Sequence, residues 1–401
     1  MNKKTILCLA SYFKGIAFMK AAHARGWRVL VVTSEELKDD PWPHDAIEEM
    51  FYMPGPKDEW DMKTLIEGMN HLMLRTHVDK IVALDDFDVE RAANLREHFR
   101  IGGMGDTRAR YFRDKLAMRL RAEEAGVPCP AFIKPFHHDD INQFIETVPA
   151  PWILKPRTQA SATGITKFEN RDDLWAKLDE LGEARINYVL EQFIPGDVYH
   201  IDSVAFEGEV VFAKSHKYMS PPFAVAHGGG IFRTHSLAPT SKDNKDLIKL
   251  NAHVSEAFGM KSSAMHTEFL KAHDTGKWYF IETASRVGGA HIAELLEAYS
   301  GVNLWAEWAK IETLEEGETY KAPKAKAGHG GLIISLARQQ HPDTSSFDDP
   351  EIAWRITKDY HIGLIVQDKK LDRVTTLLDN YAERVLADFH ASAPAADAPT
   401  S

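Results

Sequence analysis

Two glutamates, Glu268 and Glu282, are the pair of side chains whose type and spacing point most directly to chemistry. They flank the polar connection Asp274-Thr275-Gly276, in which a glycine suits the positive φ of a tight turn between two strands. A turn centred on Thr275 puts the two carboxylates opposite each other on one face, with Cβ atoms about 5 Å apart. Like charges so placed repel, and we therefore expect either a protonated carboxyl or a bound cation between them. Two carboxylates that hold a partly hydrated Mg²⁺ beside phosphate groups are a common arrangement.

The surrounding residues bear on the alternative, which is a surface hairpin with two solvated glutamates. Glu282 ends the apolar run of residues 278–281, which argues against full exposure. Because side chains alternate along a strand, we expect the glutamates to share their face with four further side chains. These are His266, Leu270, Trp278 and Phe280. Arg286 follows on the strand exit, ahead of Gly288 and Gly289, where backbone could approach a ligand closely.

Two lysines occur at positions that suit phosphate binding. Lys115 follows Asp114, a good N-cap, and so lies in the first turn of a predicted helix, where a cation opposes the helix dipole unless it meets an anion. Lys155 ends an apolar strand and precedes a loop of small and hydroxyl residues, 157–164, whose backbone N–H groups could contact phosphate oxygens. A solvated lysine and a flexible turn are the alternatives. The loop does not have the Walker A sequence.

A strand with an acidic residue follows, at residues 188–197. It carries Glu191 and is interrupted by Pro195-Gly196. Where the strand stops pairing, at Phe193 and Ile194, free backbone groups can hydrogen-bond an adenine edge. Glu191 could then accept from the exocyclic amine, and Asp197 could reach ribose hydroxyls. An ordinary crossing between domains is the alternative.

The elements that position these residues alternate between helical and strand patterns, which predicts an α/β (α+β) protein. Near the N-terminus, strands at residues 5–10, 28–33 and 80–84 predict a Rossmann-like parallel sheet, although no GxGxxG follows the first strand. Asp86 and Asp88 come directly after the third strand. They lie where open α/β sheets bind ligands, or they cap the following helix.

The composition limits the class of protein to which this chain can belong. The chain has 401 residues, 44% of them hydrophobic, which allows two or three domains with ample cores. Its net charge of −11 argues against nucleic acid as the main partner. The two cysteines have neither metal-binding nor CxxC spacing, and no apolar run approaches the ~18 residues of a membrane helix. We therefore expect a soluble, cytoplasmic protein.

We expect three domains and a tail. They are an N-terminal Rossmann-like domain at 1–111, a central two-lobed domain at 112–325 with its small lobe at about 120–195, a C-terminal α+β domain at 326–390 and a disordered tail at 391–401. Within the central domain, the sequence from His227 through Gly228 to Gly230 is too rich in glycine for a core element. It suits a loop that closes over substrate, and a disordered surface loop is the alternative.

The order of these features resembles the ATP-grasp superfamily of carboxylate–amine ligases, over nearly the whole chain. The chain looks most like bacterial L-amino acid ligases and is more distantly similar to biotin carboxylase and glycinamide ribonucleotide synthetase. The resemblance implies an ATP-grasp fold. It also implies an ATP site formed by Lys115, Lys155, Ser161, Thr163, Gly164, Glu191, Phe193, Ile194 and Asp197.

The resemblance further implies that Glu268 and Glu282 bind Mg²⁺ or Mn²⁺ and that Arg286 holds the carboxylate or the tetrahedral intermediate. Many members have Glu-x-Asn-x-Arg here, whereas this chain has Ala284 in place of the asparagine. Because alanine cannot coordinate, a second ion must use water or rest on the two glutamates alone. The expected substrate residues are Asp86, Asp88, His227, Gly228 and Gly289; the first three of these are also candidate general bases.

The activity that the resemblance implies is ATP-dependent ligation of a carboxylate to an amine through an acyl phosphate, with ADP as product. Its partners would be small molecules rather than nucleic acid or membrane, and a homodimer is compatible with it. Two alternatives remain. One is a biotin-carboxylase-like reaction with bicarbonate, and the other is a catalytically silent nucleotide-binding protein.

Overall fold

The computed structural model describes residues 3–57, 59–160, 163–223, 225 and 229–392. Its N-terminal part is a four-stranded parallel sheet in the order β3-β2-β1-β4. The strands are β1 (Thr5–Ala10), β2 (Arg28–Ser34), β3 (Glu49–Met53) and β4 (Lys80–Ala83), and the helices are α1 (Ile16–Ala24), α2 (Met62–Met73), α3 (Asp88–Phe99) and α4 (Asp106–Arg110). A short 3-10 helix, Glu35–Leu37, follows β2. Strand β1 is buried along its whole length, as a continuous apolar run in a covered parallel sheet should be. The predicted Rossmann-like arrangement is confirmed.

A small antiparallel sheet follows, in the order β5-β8-β6-β7. Its strands are β5 (Phe132–Ile133), β6 (Trp152–Pro156), β7 (Thr166–Phe168) and β8 (Tyr188–Gln192). Its helices are α5 (Lys115–Glu124), α6 (His138–Thr147), α7 (Arg171–Leu181) and the 3-10 helix Gly182–Asn187. Leucines and aromatic residues from α6, α7 and the strands form a separate core under this sheet.

An eight-stranded antiparallel sheet carries the rest of the chain, in the order β13-β12-β9-β10-β11-β14-β16-β15. Its first strands are β9 (Gly196–Phe206), β10 (Glu209–Tyr218), β11 (Phe232–Ser236), β12 (Ser263–Ala272) and β13 (Trp278–Ala284). The later strands are β14 (His329–Leu336), β15 (Ile352–Arg355) and β16 (His361–Asp368). The helices are α8 (Lys242–Ala257), α9 (Ile292–Ser300), α10 (Leu304–Glu312) and α11 (Leu371–Asp388). The expected mixed α/β class is confirmed.

The C-terminal strands extend the central sheet, because β14 pairs with β11 as well as with β16. The unit expected at 326–390 therefore shares one continuous sheet with the central unit, and a division of the chain into three domains stays a prediction. In the part of the chain that the structure describes, there is no helix with the length and apolarity to span a bilayer. Most of the expected tail, residues 393–401, lies outside the described residues.

Candidate active site

A cleft of about 480 Å³ is lined by residues of both antiparallel sheets. It contains ten of the residues that the sequence indicated as ATP-binding, metal-binding, catalytic or substrate residues, although those residues come from widely separated segments of the chain. They are Lys115, Lys155, Thr163, Glu191, Phe193, Ile194, Glu268, Glu282, Arg286 and Gly289. Ser161, His227 and Gly228 lie outside the described residues.

The two glutamates are direct cross-strand partners in the β12–β13 hairpin, as predicted, although the pairs between them and the turn are offset by one residue from the predicted register. Gly276 has a φ of +64° in that turn. The Tyr218 hydroxyl donates to Glu268 at 2.7 Å, and Lys115 Nζ lies 3.3 Å from a carboxylate oxygen of Glu282. Burial opposes ionisation of Glu268, but His266 and the Tyr218 hydroxyl outweigh it and lower the pKa of this carboxyl. The pair therefore presents negative charge to the cleft.

A β-bulge directly after Glu268 changes the expected faces of the hairpin. The register shifts there, so that Phe280 pairs with Phe269 and packs with it in the core against α8. Ile281 takes the place in the cleft that was predicted for Phe280. The placement of Trp278 and Phe280 on the face of the glutamates is therefore wrong, because alternation does not continue through a bulge. His266 and Leu270 do line the cleft, as predicted.

Lys115 connects three segments at the cleft. It begins α5, whose N-cap Asp114 accepts from the N–H groups of Leu116 and Ala117. Its Nζ donates to the Gln159 carbonyl at 2.6 Å and also approaches Glu282. The predicted N-cap thus aims the lysine at the loop after β6 and at the carboxylate pair.

Glu191 is fully buried between two cations. Its carboxylate contacts Lys155 Nζ at 2.8 Å and Arg119 Nε at 2.9 Å. Burial alone would raise the pKa of Glu191, but the charges of Arg119 and Lys155 outweigh it and lower the pKa. Burial lowers the pKa of Lys155, although its contact with Glu191 opposes the shift. The expected contact from Glu191 to an adenine amine stays a prediction, and the structure gives the carboxylate two protein partners.

Arg119 was missed by the sequence reasoning. Its side chain is completely buried, and its guanidinium also donates to the Ile281 carbonyl at 2.6 Å. It therefore ties the strand of Glu191 to the bulge beside Glu282. A signal was available, since Arg119 lies four residues after Lys115 and shares its helix face.

The end of β8 has the strand break that the sequence predicted, and part of its backbone is already used. The Phe193 N–H donates to the Pro151 carbonyl at 2.9 Å, whereas the Ile194 N–H donates to no residue that the structure describes. The Phe193 ring lies 6.5 Å from the Phe223 ring and 4.4 Å from Lys167 Nζ. This edge offers a backbone donor beside an aromatic surface.

Asp197 does not face the cleft. Strand β9 begins at Gly196, and its residues Gly196 and Val198 line the cleft. Alternation then turns Asp197 to the other face, where it contacts Lys217 at 2.7 Å and His273 at 3.2 Å. The structure therefore does not bring Asp197 into the cleft, contrary to the prediction.

Arg286 is held by Asp86 from the N-terminal sheet. The Nε of Arg286 donates to Asp86 at 2.8 Å, and both side chains are nearly buried. Burial disfavours the carboxylate, but Arg286 outweighs it and lowers the pKa of Asp86 to about 2. A paired carboxylate of this acidity is a poor general base, so the geometry makes Asp86 a positioning group.

Asp88 lies outside the cleft. It is fully buried in the N-terminal part, where its carboxylate accepts from the N–H and hydroxyl of Ser11 and from Arg91. Burial raises its pKa to about 6. Its expected role at the substrate is contradicted, because the first turn of α3 points it toward the end of β1.

The glycines near the cleft have different surroundings. Gly164 has a φ of +70°, and a Cβ there would lie 2.9 Å from the Pro156 ring, which explains a glycine after Thr163. Gly289 has open space around it, whereas a Cβ on Gly288 would lie 2.7 Å from Asp202 and 2.9 Å from His266. The segment after Arg286 thus rests directly on buried side chains of the central sheet.

Those buried side chains form a cluster that sequence reasoning did not find. Asp202 accepts from His200 at 2.7 Å and from His266 at 2.8 Å, and the ring of His216 stacks on that of His200. Burial lowers the pKa of His216 to about 4, whereas the charge of Asp202 outweighs burial and raises the pKa of His266 to about 10. The cluster lies behind Glu268, whose carboxylate is 3.6 Å from His266 Nε2. Its members occupy alternate positions on neighbouring strands, a pattern visible only once the strands are paired.

Comparison with known proteins identifies the domain that carries the cleft. A family model described as an ATP-grasp domain matches residues 148–294. The chain is 27% identical over 266 residues to an L-arginine-specific L-amino acid ligase of Bacillus subtilis, which covers 65% of this chain and 63% of the relative. It is 23% identical over 256 residues to an alanine–anticapsin ligase of Bacillus subtilis, which covers 57% of this chain and 52% of the relative. These matches span less than two thirds of the length of either relative.

Solved structures resemble nearly the whole chain at low sequence identity. An L-amino acid ligase from Bacillus licheniformis has a TM-score of 0.74 and 17% identity, and the match covers 97% of this chain and 98% of that one. The biotin carboxylase domain of a 2-oxoglutarate carboxylase from Hydrogenobacter thermophilus, solved with MgADP and bicarbonate, has a TM-score of 0.68 and 17% identity. That match covers 94% of this chain and 89% of that one. These likenesses show the fold, and the resemblance that the sequence indicated is confirmed.

Proposed function

We propose that this chain, which carries an ATP-grasp domain over residues 148–294, is an ATP-dependent ligase that joins a carboxylate to an amine. The carboxylate, which we take to be that of an amino acid, would be activated as an acyl phosphate, giving an amide or dipeptide, ADP and phosphate. The observation that carries the proposal is the cross-strand pair Glu268–Glu282 in a cleft that also contains Lys155 and Arg286. Lys115 Nζ lies 3.3 Å from the carboxylate of Glu282.

The donor set of the cleft fits a divalent cation. Two opposed carboxylates, of which Glu268 is held ionised, are oxygen ligands of the kind that Mg²⁺ and Mn²⁺ take. Ala284 offers no third side-chain ligand, so water would complete the coordination. When bound, the ion would neutralise phosphate charge. Lys115 and Lys155 line the same cleft and would contact phosphate oxygens in addition.

The residues of the chain mainly position the reactants. Arg286, fixed by Asp86, would hold the carboxylate so that one of its oxygens attacks the γ-phosphorus of ATP while ADP leaves. The amine would then attack the acyl carbon, and phosphate would leave as the C–N bond forms. The Ile194 N–H and the Phe193 ring suit the edge and the face of adenine. Loss of the amine proton requires a base, for which His227 stays a candidate outside the described residues.

Similarity to amino acid ligases supports an amino acid as the carboxylate. The relatives named above are an L-arginine-specific L-amino acid ligase and an alanine–anticapsin ligase, and both names describe amino acid ligation. We extend that chemistry to this chain without its substrate specificity. Small molecules as partners, a cytoplasmic location and a homodimer belong to the same proposal.

A phosphate-release assay over pairs of amino acids tests the proposal. We expect ADP and phosphate to appear together with a new amide when a suitable pair is present, and Glu282→Gln to abolish that product. Glu67→Gln, an exposed change on α2, is the matched control and should leave turnover unchanged. Formation of AMP, or full activity in Glu282→Gln, would contradict the mechanism. Turnover with bicarbonate but with no amino acid would favour the carboxylase alternative.

A further inference from the structure

A second cavity, of about 320 Å³, lies between the N-terminal sheet and the central sheet. Among the residues that the structure describes, it shares none of its lining with the cleft. One wall comes from β4, α3 and the loop after α3, and the other comes from the segment that begins β12, the residue after β13 and α10. Its floor is buried and mainly apolar, with Ala83, Met260 and Trp308 among the floor residues.

The rim of this cavity is cationic although the protein has a net charge of −11. Four basic side chains line it, and Glu312 is the acidic residue among those that line it. Lys80 lies 3.5 Å from Glu312, whereas Arg96, Arg108 and Lys261 have no carboxylate within ion-pair distance in the described ranges. Positive charge without a carboxylate partner at a concave surface attracts anions.

Arg96 is the most enclosed of these cations. Its guanidinium donates to the carbonyls of Ile81 and Met104, which fix its orientation and leave its charge unpaired. Burial lowers its pKa, which shows that the surroundings disfavour the charge, although Glu312 opposes the shift. An anion in the cavity would compensate it.

The hydroxyl of a serine at the floor points to the same conclusion. Ser285 is 4% exposed and lines the cavity, and its hydroxyl has no hydrogen-bond partner among the residues that the structure describes. Its carbonyl is occupied separately, by the Ser263 hydroxyl at 3.2 Å. The hydroxyl is therefore free to donate to an anion in the cavity.

We propose that this second cavity binds a small organic anion, with a phosphate or carboxylate group held by the cationic rim and an apolar body resting on the floor. The proposal does not depend on the function proposed for the cleft. Arginine suits an anionic group of either kind because its planar fork matches phosphate and carboxylate oxygens. A cavity of this size suits a ligand of a few carbon atoms beyond its anionic group.

The position of the cavity makes it an effector site. Ser285 immediately precedes Arg286, and Ala83 ends the strand that leads to Asp86. A ligand that touches both would contact the two backbone segments that hold the Arg286–Asp86 pair in place. Occupancy would therefore order these segments and stabilise that pair.

Calorimetric titration of the full chain, without nucleotide and in a buffer free of phosphate, tests the binding. The probes are n-butyl phosphate, hexanoate and inorganic phosphate. Arg108→Ala/Lys261→Ala removes two exposed rim cations and should keep the fold, as its thermal unfolding would show. Lys63→Ala/Lys242→Ala makes the same change of charge at exposed sites on α2 and α8.

We expect one molecule of n-butyl phosphate or of hexanoate to bind per chain, and the probe that binds more tightly identifies the anionic group. The rim variant should bind it about tenfold or more weakly, since two charge-assisted contacts are lost, while the control variant should be unchanged. Inorganic phosphate should bind more weakly than the ester. No saturable binding of either organic probe, equal binding in both variants, or phosphate binding as tightly as the ester would overturn the proposal.

Amide hydrogen exchange tests the link to the cleft without any activity measurement. Saturating probe should slow exchange at residues 81–86 and 283–287 in the wild-type chain and leave it unchanged in the rim variant. Binding that leaves exchange in both segments unaltered would refute the effector role. Because neither experiment uses ATP or a substrate, failure of the proposed ligase activity would leave both results intact.

Discussion

Glu191→Gln separates the role that the structure gives Glu191 from the one that the sequence suggested. In the structure, the carboxylate lies between Arg119 and Lys155, and the variant keeps the shape of the side chain while removing its charge. If the carboxylate mainly compensates these two buried cations, the variant should be much less stable. If it mainly accepts from adenine, the variant should fold normally and bind ATP poorly.

The magnitude follows from burial. Removing one partner of a buried ion pair costs about 3–5 kcal/mol, a large part of the ~5–15 kcal/mol that stabilises a typical domain. Lys155 can relieve part of that cost by losing its proton, since burial already lowers its pKa below the ordinary value of 10.5. Between the lowered pKa and the unfolded value, the unfolded chain binds more protons, so stability rises with pH. The deficit of the variant should therefore shrink as pH rises toward 10.5.

Urea unfolding, at about pH 7 and about pH 9, measures this deficit. Glu180→Gln, on the exposed side of α7, is the matched control and should stay within about 0.5 kcal/mol of wild type. A loss of less than about 1 kcal/mol for Glu191→Gln, combined with a raised KM for ATP, would refute the reasoning and restore the adenine contact.

Three further changes probe the same region. Gly288→Ala should lower the free energy of unfolding by about 1–3 kcal/mol, because its Cβ would meet Asp202 and His266. Gly289→Ala is the control, since a Cβ there has open space. Equal unfolding midpoints of the two variants in urea would contradict this prediction. Asp86→Asn should lower kcat by about a hundredfold, because it releases Arg286. Asp39→Asn, at an exposed position, is the control and should leave kcat unchanged. Steady-state assays that give the same kcat for both variants would exclude the positioning role of Asp86. His216 has a pKa of about 4 in the folded chain and 6.5 in the unfolded chain, so the free energy of unfolding of the wild type should fall as pH falls from 6.5 to 4. In His216→Asn this fall should be smaller by up to about 3 kcal/mol. Urea titrations that give the same pH dependence for the variant and the wild type would refute this prediction.

Local patterns were sufficient for several parts of the site. The polar residues 274–276 indicated the hairpin that carries Glu268 and Glu282, and the N-cap Asp114 placed Lys115 in the first turn of its helix. A short-range rule underlies each of these, since turn residues mark a hairpin and a capping side chain sets where a helix begins. The pairing of Glu268 with Glu282 depends in addition on the bulge between them and the turn. The order of the lysines and glutamates then indicated the fold.

Other parts could not be predicted because they depend on contacts between distant segments. The bulge after Glu268 reverses the side-chain alternation that placed Phe280 with the glutamates, and no local pattern marks it. The partners of Arg119 come from β8 and β13, and the partners of Asp202 come from β9 and β12. Arg119 and Asp202 are charged residues that the structure buries. The pattern of a single strand or helix does not distinguish such a buried charge from one that is exposed to solvent.

Transfer of oxygen from the carboxylate substrate to phosphate tests the central claim most directly. The substrate would carry the heavy isotope of oxygen in its carboxylate, and the released phosphate would be analysed by mass spectrometry during turnover. Formation of an acyl phosphate in the cleft of Glu268, Glu282 and Arg286 predicts one labelled oxygen in each phosphate, with ADP as the other product. Unlabelled phosphate, or label that appears in AMP, would contradict the account.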